Sequence, residues 1–275
     1  MMGHESVDLK SVVLCADDFA VHESASRGIA QLAEQSRISA TSVMVLSPRW
    51  AQDVALLHDL RGRIDVGLHL DWTSEFAVAR GHGLSLGKAM LKAALGGFEP
   101  VAARAVIERQ LDAFEAHWQA PPDYVDGHQH VQQFAGIREA LVQALTSRYG
   151  QQDRKPYLRI SRAAPGTADF KSQVIAAMGA GAIEKIAAYA QLTGATALLG
   201  IYDFTGSVER YARLMAGWLK EAPPRSIIMC HPALSAEPGD AIGVARAQEF
   251  AYLSSADFSA ALAQAGVQLG RFQAP

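Results

Sequence analysis

Short apolar runs alternate with longer stretches of helical periodicity along most of the chain. An apolar stripe at helical spacing predicts a helix over residues 101–118, and similar patterns predict helices near residues 25–33 and 135–147. Eight runs have the composition of strands, at residues 12–16, 41–46, 64–70, 124–126, 157–160, 226–230 and 267–269 and within 195–204. Strand–helix alternation of this kind predicts a mainly parallel sheet covered by helices.

Seven or eight such units in 275 residues suggest an α/β fold with a (β/α) barrel, incomplete or distorted, and the length fits one large domain or two small ones. A doubly wound open sheet is the alternative. The first strand is not followed by the G-x-G-x-x-G of dinucleotide-binding folds, and the sequence has no Walker phosphate loop.

Composition and charge exclude several classes of protein. The chain is 49% hydrophobic and 19% charged with a formal charge of −3, which argues against a disordered chain and against nucleic-acid binding. No apolar run reaches the length of about 18 residues that membrane insertion needs. The first ten residues lack the features of a signal peptide, and there are only two cysteines, Cys15 and Cys230, so we expect a cytoplasmic protein with small buried thiols.

Acidic and imidazole side chains recur where the predicted strands end. These residues are Asp17, Asp18, His69, His128, His130 and His231. Because the carboxyl ends of parallel strands meet on one face, where active sites are built, we expect these side chains to converge. Each residue alone has an ordinary explanation, such as a helix cap, a turn or a buried histidine. Their equivalent positions on four strands favour a functional site.

Carboxylate and imidazole groups are a common ligand set for a catalytic divalent ion with open coordination positions. Asp17 and Asp18 are adjacent, so in extended backbone their side chains diverge, and one could bind the metal while the other acts as a base. His231 could then protonate a leaving group, which suits hydrolysis of an amide or ester. The residues alone do not choose between Asp17 and Asp18, or between His128 and His130.

Several separated motifs resemble those of one family in the expected order. They are A-D-D-F at 16–19, S-R-G-I at 26–29, T-S-V-M-V at 41–45, V-G-L-H-L at 66–70, Y-V-D-G-H-Q-H-V at 124–131 and M-C-H-P at 229–232. Arg246, Glu249 and Leu253 resemble the closing R-x-x-E-L pattern. Together they resemble the YdjC-like carbohydrate deacetylases, also called the ChbG/HpnK family.

The resemblance implies a single domain over residues 1–275 with a distorted TIM-like (β/α) barrel. It also implies a metal-dependent hydrolase that removes acetyl groups from N-acetylated sugars. It implies metal ligation by Asp18, His69 and His128. It also implies Asp17 as the catalytic base and His231 as the general acid. By the same resemblance, Arg159 orients the base or the substrate, although a surface or helix-dipole role for this arginine remains open.

The resemblance further implies one divalent ion, usually magnesium, and a homodimer. On ligand chemistry alone the two imidazoles fit a softer ion such as zinc, and manganese or cobalt is also compatible. The substrate stays open among a chito-oligosaccharide, a single N-acetylglucosamine and an N-acetylglucosaminyl lipid. The segment 72–87 is expected to be a loop that covers the sugar, with Trp72 and Phe76 stacking on its ring, and a packing role for Trp72 remains open. Ala20 stands where the family usually has glycine, and Gln132 where it often has histidine.

Two other classes of function remain open. One is a barrel sugar isomerase or glycosidase, in which Asp17 and a second carboxylate act on the ring or the glycosidic bond. The other is a metal- or sugar-binding protein without turnover, which the presence of both Asp17 and His231 argues against, because a pure ligand site needs neither.

Overall fold

The computed structural model describes residues 9–164 and 170–272, so most of the N-terminal segment considered for a signal peptide lies outside it. The strands are β1 (Lys10–Phe19), β2 (Ala40–Val43), β3 (Asp65–Leu70), β4 (Tyr124–Gly127), β5 (Tyr157–Leu158), β6 (Leu198–Leu199), β7 (Ile227–Cys230) and β8 (Val267–Leu269). The α-helices are α1 (Glu23–Glu34), α2 (Trp50–Asp53), α3 (Glu75–Ala79), α4 (Leu86–Ala94), α5 (Pro100–Trp118), α6 (Ile137–Tyr149), α7 (Phe170–Ala177), α8 (Ala180–Tyr189), α9 (Val208–Glu221), α10 (Gly243–Leu253) and α11 (Ala256–Ala265). Two 3-10 segments cover Val54–Leu60 and His128–Gln133.

The strands form one parallel sheet in the order β5-β4-β3-β2-β1-β7-β6, and β8 pairs with the beginning of β1. Isolated parallel bridges from Leu158 to Gly194 and from Ala163 to Leu198 join the β5 side of the sheet to the β6 side. Around this curled sheet the strands therefore follow one another in chain order. The distorted barrel predicted from the sequence is confirmed, whereas a doubly wound sheet would reverse its order at a central switch point.

The strands are apolar on both faces because helices cover the outside and side chains fill the inside. β3 and β7 are buried along their whole lengths, and β1 is buried from Val12 to Phe19. β1 thus runs past the predicted end at residue 16 and includes Asp17 and Asp18. Charged residues usually end a buried strand, but these two have buried ionic partners, which allows the strand to continue.

The helices predicted at 25–33, 101–118 and 135–147 correspond to α1, α5 and α6. The prediction of a continuous loop over residues 72–87 is wrong, because this segment contains α3 and the start of α4. Ser74 caps α3 by accepting hydrogen bonds from the Phe76 and Ala77 N–H groups, a local signal typical of a helix N-terminus. In the described ranges, none of the helices combines the length and the apolar character needed to cross a membrane.

Candidate functional site

A cavity of about 970 Å³ opens at the carboxyl ends of the strands. All six residues assigned to the site from the sequence line it, namely Asp17, Asp18, His69, His128, Arg159 and His231. They come from β1, from β3 and from the segments that follow β4, β5 and β7. The convergence expected from the strand ends is therefore present in the folded chain.

Both aspartates line this cavity because β1 is irregular at this point. Its register against β2 shifts between Ala16 and Phe19, and Asp18 has a φ of 66°. The two side chains were expected to diverge in extended backbone. Instead, a bulge of the kind that often re-aims side chains beside active sites brings both carboxylates to one cavity. Ala20, where the family usually has glycine, keeps the left-handed conformation with a φ of 72°.

Three side chains of the cavity, Asp18, His69 and His128, each offer one atom that can bind a metal ion, and these atoms lie close together. Asp18 Oδ1 lies 3.4 Å from His69 Nε2 and 3.2 Å from His128 Nδ1. All three ligand atoms lie within 4.8 Å of one another. Ligands bound to one ion at about 2.1 Å lie about 3.0–3.4 Å apart, so these groups fit a divalent metal. The structure thus brings together the same three residues that the resemblance implied.

Electrostatics at the cluster favour a cation. Burial raises the pKa of Asp18, but Arg246 and the two imidazoles outweigh it and hold the pKa well below its usual range. Burial lowers the pKa of His69, but Asp126 and Asp18 outweigh it and raise the pKa to about 10. The negative potential that keeps a proton on His69 would also favour a metal ion in its place.

Asp18 forms a buried ion pair with Arg246. Its Oδ2 accepts a hydrogen bond of 2.6 Å from Arg246, whose Nε donates to Asp240 at 2.7 Å. Asp240 also lies 3.2 Å from His22 Nε2 on the rim of the cavity. The arginine occupies one carboxylate oxygen of Asp18 and leaves Oδ1 facing the two histidines.

Asp17 forms a two-pronged ion pair with Arg159. The guanidinium donates to Oδ1 at 2.5 Å and to Oδ2 at 2.8 Å. Burial raises the pKa of Asp17, but the charge of Arg159 outweighs it, so the pKa is lowered and the carboxylate is ionised at neutral pH. Arg159 is completely buried, which excludes the surface role that the sequence left open.

His231 also lies close to the Asp17 carboxylate. Its Nε2 is 3.9 Å from Asp17 Oδ2, its ring meets Phe204 edge-on with centroids 5.1 Å apart, and its backbone N–H donates to Glu249. Burial lowers the pKa of His231 to about 4, although Asp17 and Asp18 oppose the shift. The imidazole is therefore neutral at pH 7 in the free protein.

His130, the second imidazole of the Gly127–His130 sequence, lines the cavity but does not belong to the ligand cluster of Asp18, His69 and His128. Its Nδ1 lies 2.9 Å from Ser161 Oγ, and burial with the nearby charge of Arg159 lowers its pKa to about 3. Of the two histidines that the residues alone could not separate, His128 is the one beside Asp18.

Trp72 and Phe76 have different environments. Trp72 is 2% exposed and packs edge-on against His82 and Phe98, so the stacking role considered for it is wrong and the packing role is correct. Phe76 is half-buried and lines the cavity beside Leu86 and Met90. Both cysteines are free and buried, as expected, and burial raises the pKa of each thiol.

Sequence reasoning missed Asp126. Its Oδ1 lies 2.6 Å from His69 Nδ1 and its Oδ2 lies 3.0 Å from the Arg159 guanidinium. Arg246 and Glu249 were noted only as members of a closing pattern. The sequence does carry a signal for Asp126, because it is a carboxylate inside an apolar run predicted to be a buried strand. An unpaired charge there would be costly, so such a residue is expected to have a charged or hydrogen-bonding partner.

The fold and the site together define a distorted (β/α) barrel with an Asp–His–His cluster beside a buried Asp–Arg pair. A family profile described as YdjC-like protein matches residues 11–264, and the chain belongs to this family. No curated protein matches the chain.

Solved structures that share the fold include the following two proteins. A protein of Enterococcus faecalis V583, whose name gives it a proposed role in cellobiose-phosphate cleavage, is 17% identical with a TM-score of 0.70, and the match covers 96% of this chain and 98% of that one. The Xyl-CE4 domain of a multidomain xylanase from the hindgut metagenome of Trinervitermes trinervoides is 9% identical with a TM-score of 0.53, covering 96% and 88%.

Proposed function

We propose that this protein is a metal-dependent carbohydrate deacetylase of the ChbG/HpnK type that removes the acetyl group from an N-acetylated sugar. The observation that carries the proposal is one cavity holding a metal-ligand cluster, Asp18, His69 and His128, beside the Asp17–Arg159 pair and His231. Membership of the YdjC-like family and the fold shared with a CE4 domain support it.

Asp18, His69 and His128 would hold the ion. A divalent metal at such a site polarises the amide carbonyl and lowers the pKa of water. One carboxylate and two imidazoles are compatible with magnesium, but two nitrogen donors favour zinc.

Asp17 acts as the base. Although both of its oxygens accept hydrogen bonds from Arg159, a carboxylate oxygen has two lone pairs, so Oδ2 can still take a proton from the attacking water. Arg159 fixes the direction of these lone pairs and keeps the carboxylate ionised beforehand.

His231 delivers a proton to the leaving nitrogen. It starts neutral, and its Nε2 is 3.9 Å from Asp17 Oδ2, so the proton taken from water can pass to the imidazole after a small movement. The water oxygen forms a bond to the acetyl carbon and the C–N bond breaks. The sugar amine leaves with the proton from His231, and acetate is released.

The wall of the cavity suits a sugar. The aromatic rings of Phe76 and Phe204 line it, and so do the polar side chains of His22 and Asp240. Such rings commonly offer a flat apolar surface, and the polar groups can accept or donate hydrogen bonds to hydroxyls. The substrate remains an acetylated amino sugar, as a chito-oligosaccharide, a single N-acetylglucosamine or a glycolipid.

The test is a metal titration of chelator-treated protein, followed by an acetate-release assay on N-acetylated chito-oligosaccharides, N-acetylglucosamine and its alkyl glycosides. We expect acetate release with an intact sugar chain, restored by one equivalent of metal. Chain cleavage or aldose–ketose conversion would instead support a glycosidase or isomerase, and metal binding without any turnover would support a binding protein.

A further inference from the structure

Asp126 lies on β4 and contacts both parts of the site, the metal-ligand cluster of Asp18, His69 and His128 and the Asp17–Arg159 pair. It is completely buried, and both carboxylate oxygens are engaged. Oδ1 lies 2.6 Å from His69 Nδ1, while Oδ2 lies 3.0 Å from the Arg159 guanidinium and accepts a hydrogen bond of 2.5 Å from Ser42 Oγ. The mechanism proposed above gives this residue no role.

The contact with His69 determines which ring nitrogen carries the proton. The Oδ2 atom of Asp126 already faces two donors, Ser42 and Arg159, so this carboxylate serves as an acceptor, and the 2.6 Å contact of its Oδ1 places a proton on Nδ1 of His69. The other nitrogen, Nε2, is the atom that faces Asp18 at 3.4 Å. Asp126 therefore leaves the lone pair of Nε2 directed at the ligand cluster whenever the ring is neutral.

The contact with Arg159 links Asp126 to the Asp17–Arg159 pair. The same guanidinium nitrogen that lies 3.0 Å from Asp126 donates to Asp17 at 2.5 Å. Arg159 is thus held between two carboxylates, and its position over Asp17 depends on both. Ser42, the third partner of Asp126, does not touch His69 or Arg159 among the contacts of the described residues.

We propose that Asp126 is a positioning residue that orients the metal ligand His69 and the base-holding Arg159 with a single carboxylate. This inference rests on the metal site of the proposed function. An asparagine at this position has one acceptor and one donor group, so it can accept from His69 or from Arg159 but not from both. Asp126→Asn therefore breaks one half of the arrangement, yet it leaves Asp17 and Arg159 as a balanced ion pair.

The first test measures Zn²⁺ affinity by competition with a chromophoric chelator. Loss of a carboxylate behind a histidine ligand typically weakens metal binding by about 10–100-fold, and we expect this range for Asp126→Asn. Ser42→Ala is the matched control, because it removes a hydrogen bond from the same carboxylate without touching His69, and its Zn²⁺ affinity should stay within about threefold of wild type. Equal affinities for Asp126→Asn and wild type, or an equal loss in both variants, would overturn the proposal.

The second test needs no variant. In Zn²⁺-loaded wild-type protein with ¹⁵N-labelled histidine, nitrogen chemical shifts should show His69 protonated at Nδ1. His128 should show the opposite tautomer, since its Nδ1 is the atom beside Asp18. A proton on Nε2 of His69, or no binding of Zn²⁺ at all, would overturn the proposal. Neither test uses turnover, so absence of acetate release would refute deacetylation while leaving the role of Asp126 standing on its own data.

Discussion

Replacing Arg159 with methionine tests how the site balances its buried charges. Arg159 is completely buried and contacts Asp17 at 2.5 and 2.8 Å and Asp126 at 3.0 Å. Methionine fills the volume of the stem but removes the guanidinium from Asp17 and leaves His69 as the cationic partner of Asp126. Breaking a buried pair in this way costs about 3–5 kcal/mol of folding free energy. In a chain of this size the loss corresponds to a fall in Tm of roughly 6–20 °C.

The assay is thermal unfolding by circular dichroism in metal-free buffer, with acetate release measured on the same preparations after one equivalent of metal is added back. Without Arg159 the pKa of Asp17 should rise, so turnover at neutral pH should be largely lost as well. Arg162→Met is the control, because Arg162 pairs with Glu184 while 45% of its side chain is exposed, and its loss should cost less than about 1 kcal/mol. A Tm for Arg159→Met close to that of Arg162→Met would refute the charge-balance argument.

Two further predictions concern buried groups near the site. Burial raises the pKa of Glu249 from its ordinary value of 4.5 to about 7, so the folded protein binds this proton more tightly than the unfolded chain does. The resulting stabilisation is fully present below pH 4.5 and is lost as the pH rises through 7. Relative to wild type, Glu249→Gln should therefore gain up to about 3 kcal/mol of unfolding free energy between pH 4.5 and 8, measured by urea unfolding, and a constant difference would contradict the assignment. Phe76→Ala should raise KM up to about tenfold with little change in Tm, whereas Trp72→Ala should cost about 3–5 kcal/mol of stability; the opposite pattern would show that Trp72 is the sugar-facing ring.

Much of the fold follows from local sequence patterns. The eight apolar runs and the long helical stripe correspond to strands and helices because burial on a sheet or a helix face repeats at a fixed spacing. The convergence of Asp18, His69 and His128 also follows, since parallel strands end on one face. The choice of Asp18 over Asp17 came from the family resemblance, because spacing alone could not supply it.

Other features depend on contacts between distant parts of the chain. The left-handed conformation of Asp18 arises where β1 shifts its register against β2, and nothing in the local sequence marks a bulge there. The burial of Arg159 depends on Asp17 and Asp126, which lie 142 and 33 positions before it. α3 was missed because a five-residue helix in a polar, glycine-containing segment has too few residues to show a period.

The most direct test of the central claim compares Asp17→Asn with wild type in two measurements on the same preparation. Asp17 lies outside the ligand cluster, so the variant should bind one equivalent of Zn²⁺ with an affinity within about threefold of wild type. Its acetate release from N-acetylated sugars should fall by about 10²–10⁴-fold, the range typical of a lost general base. Acetate release at the wild-type rate, with the metal bound, would contradict the account.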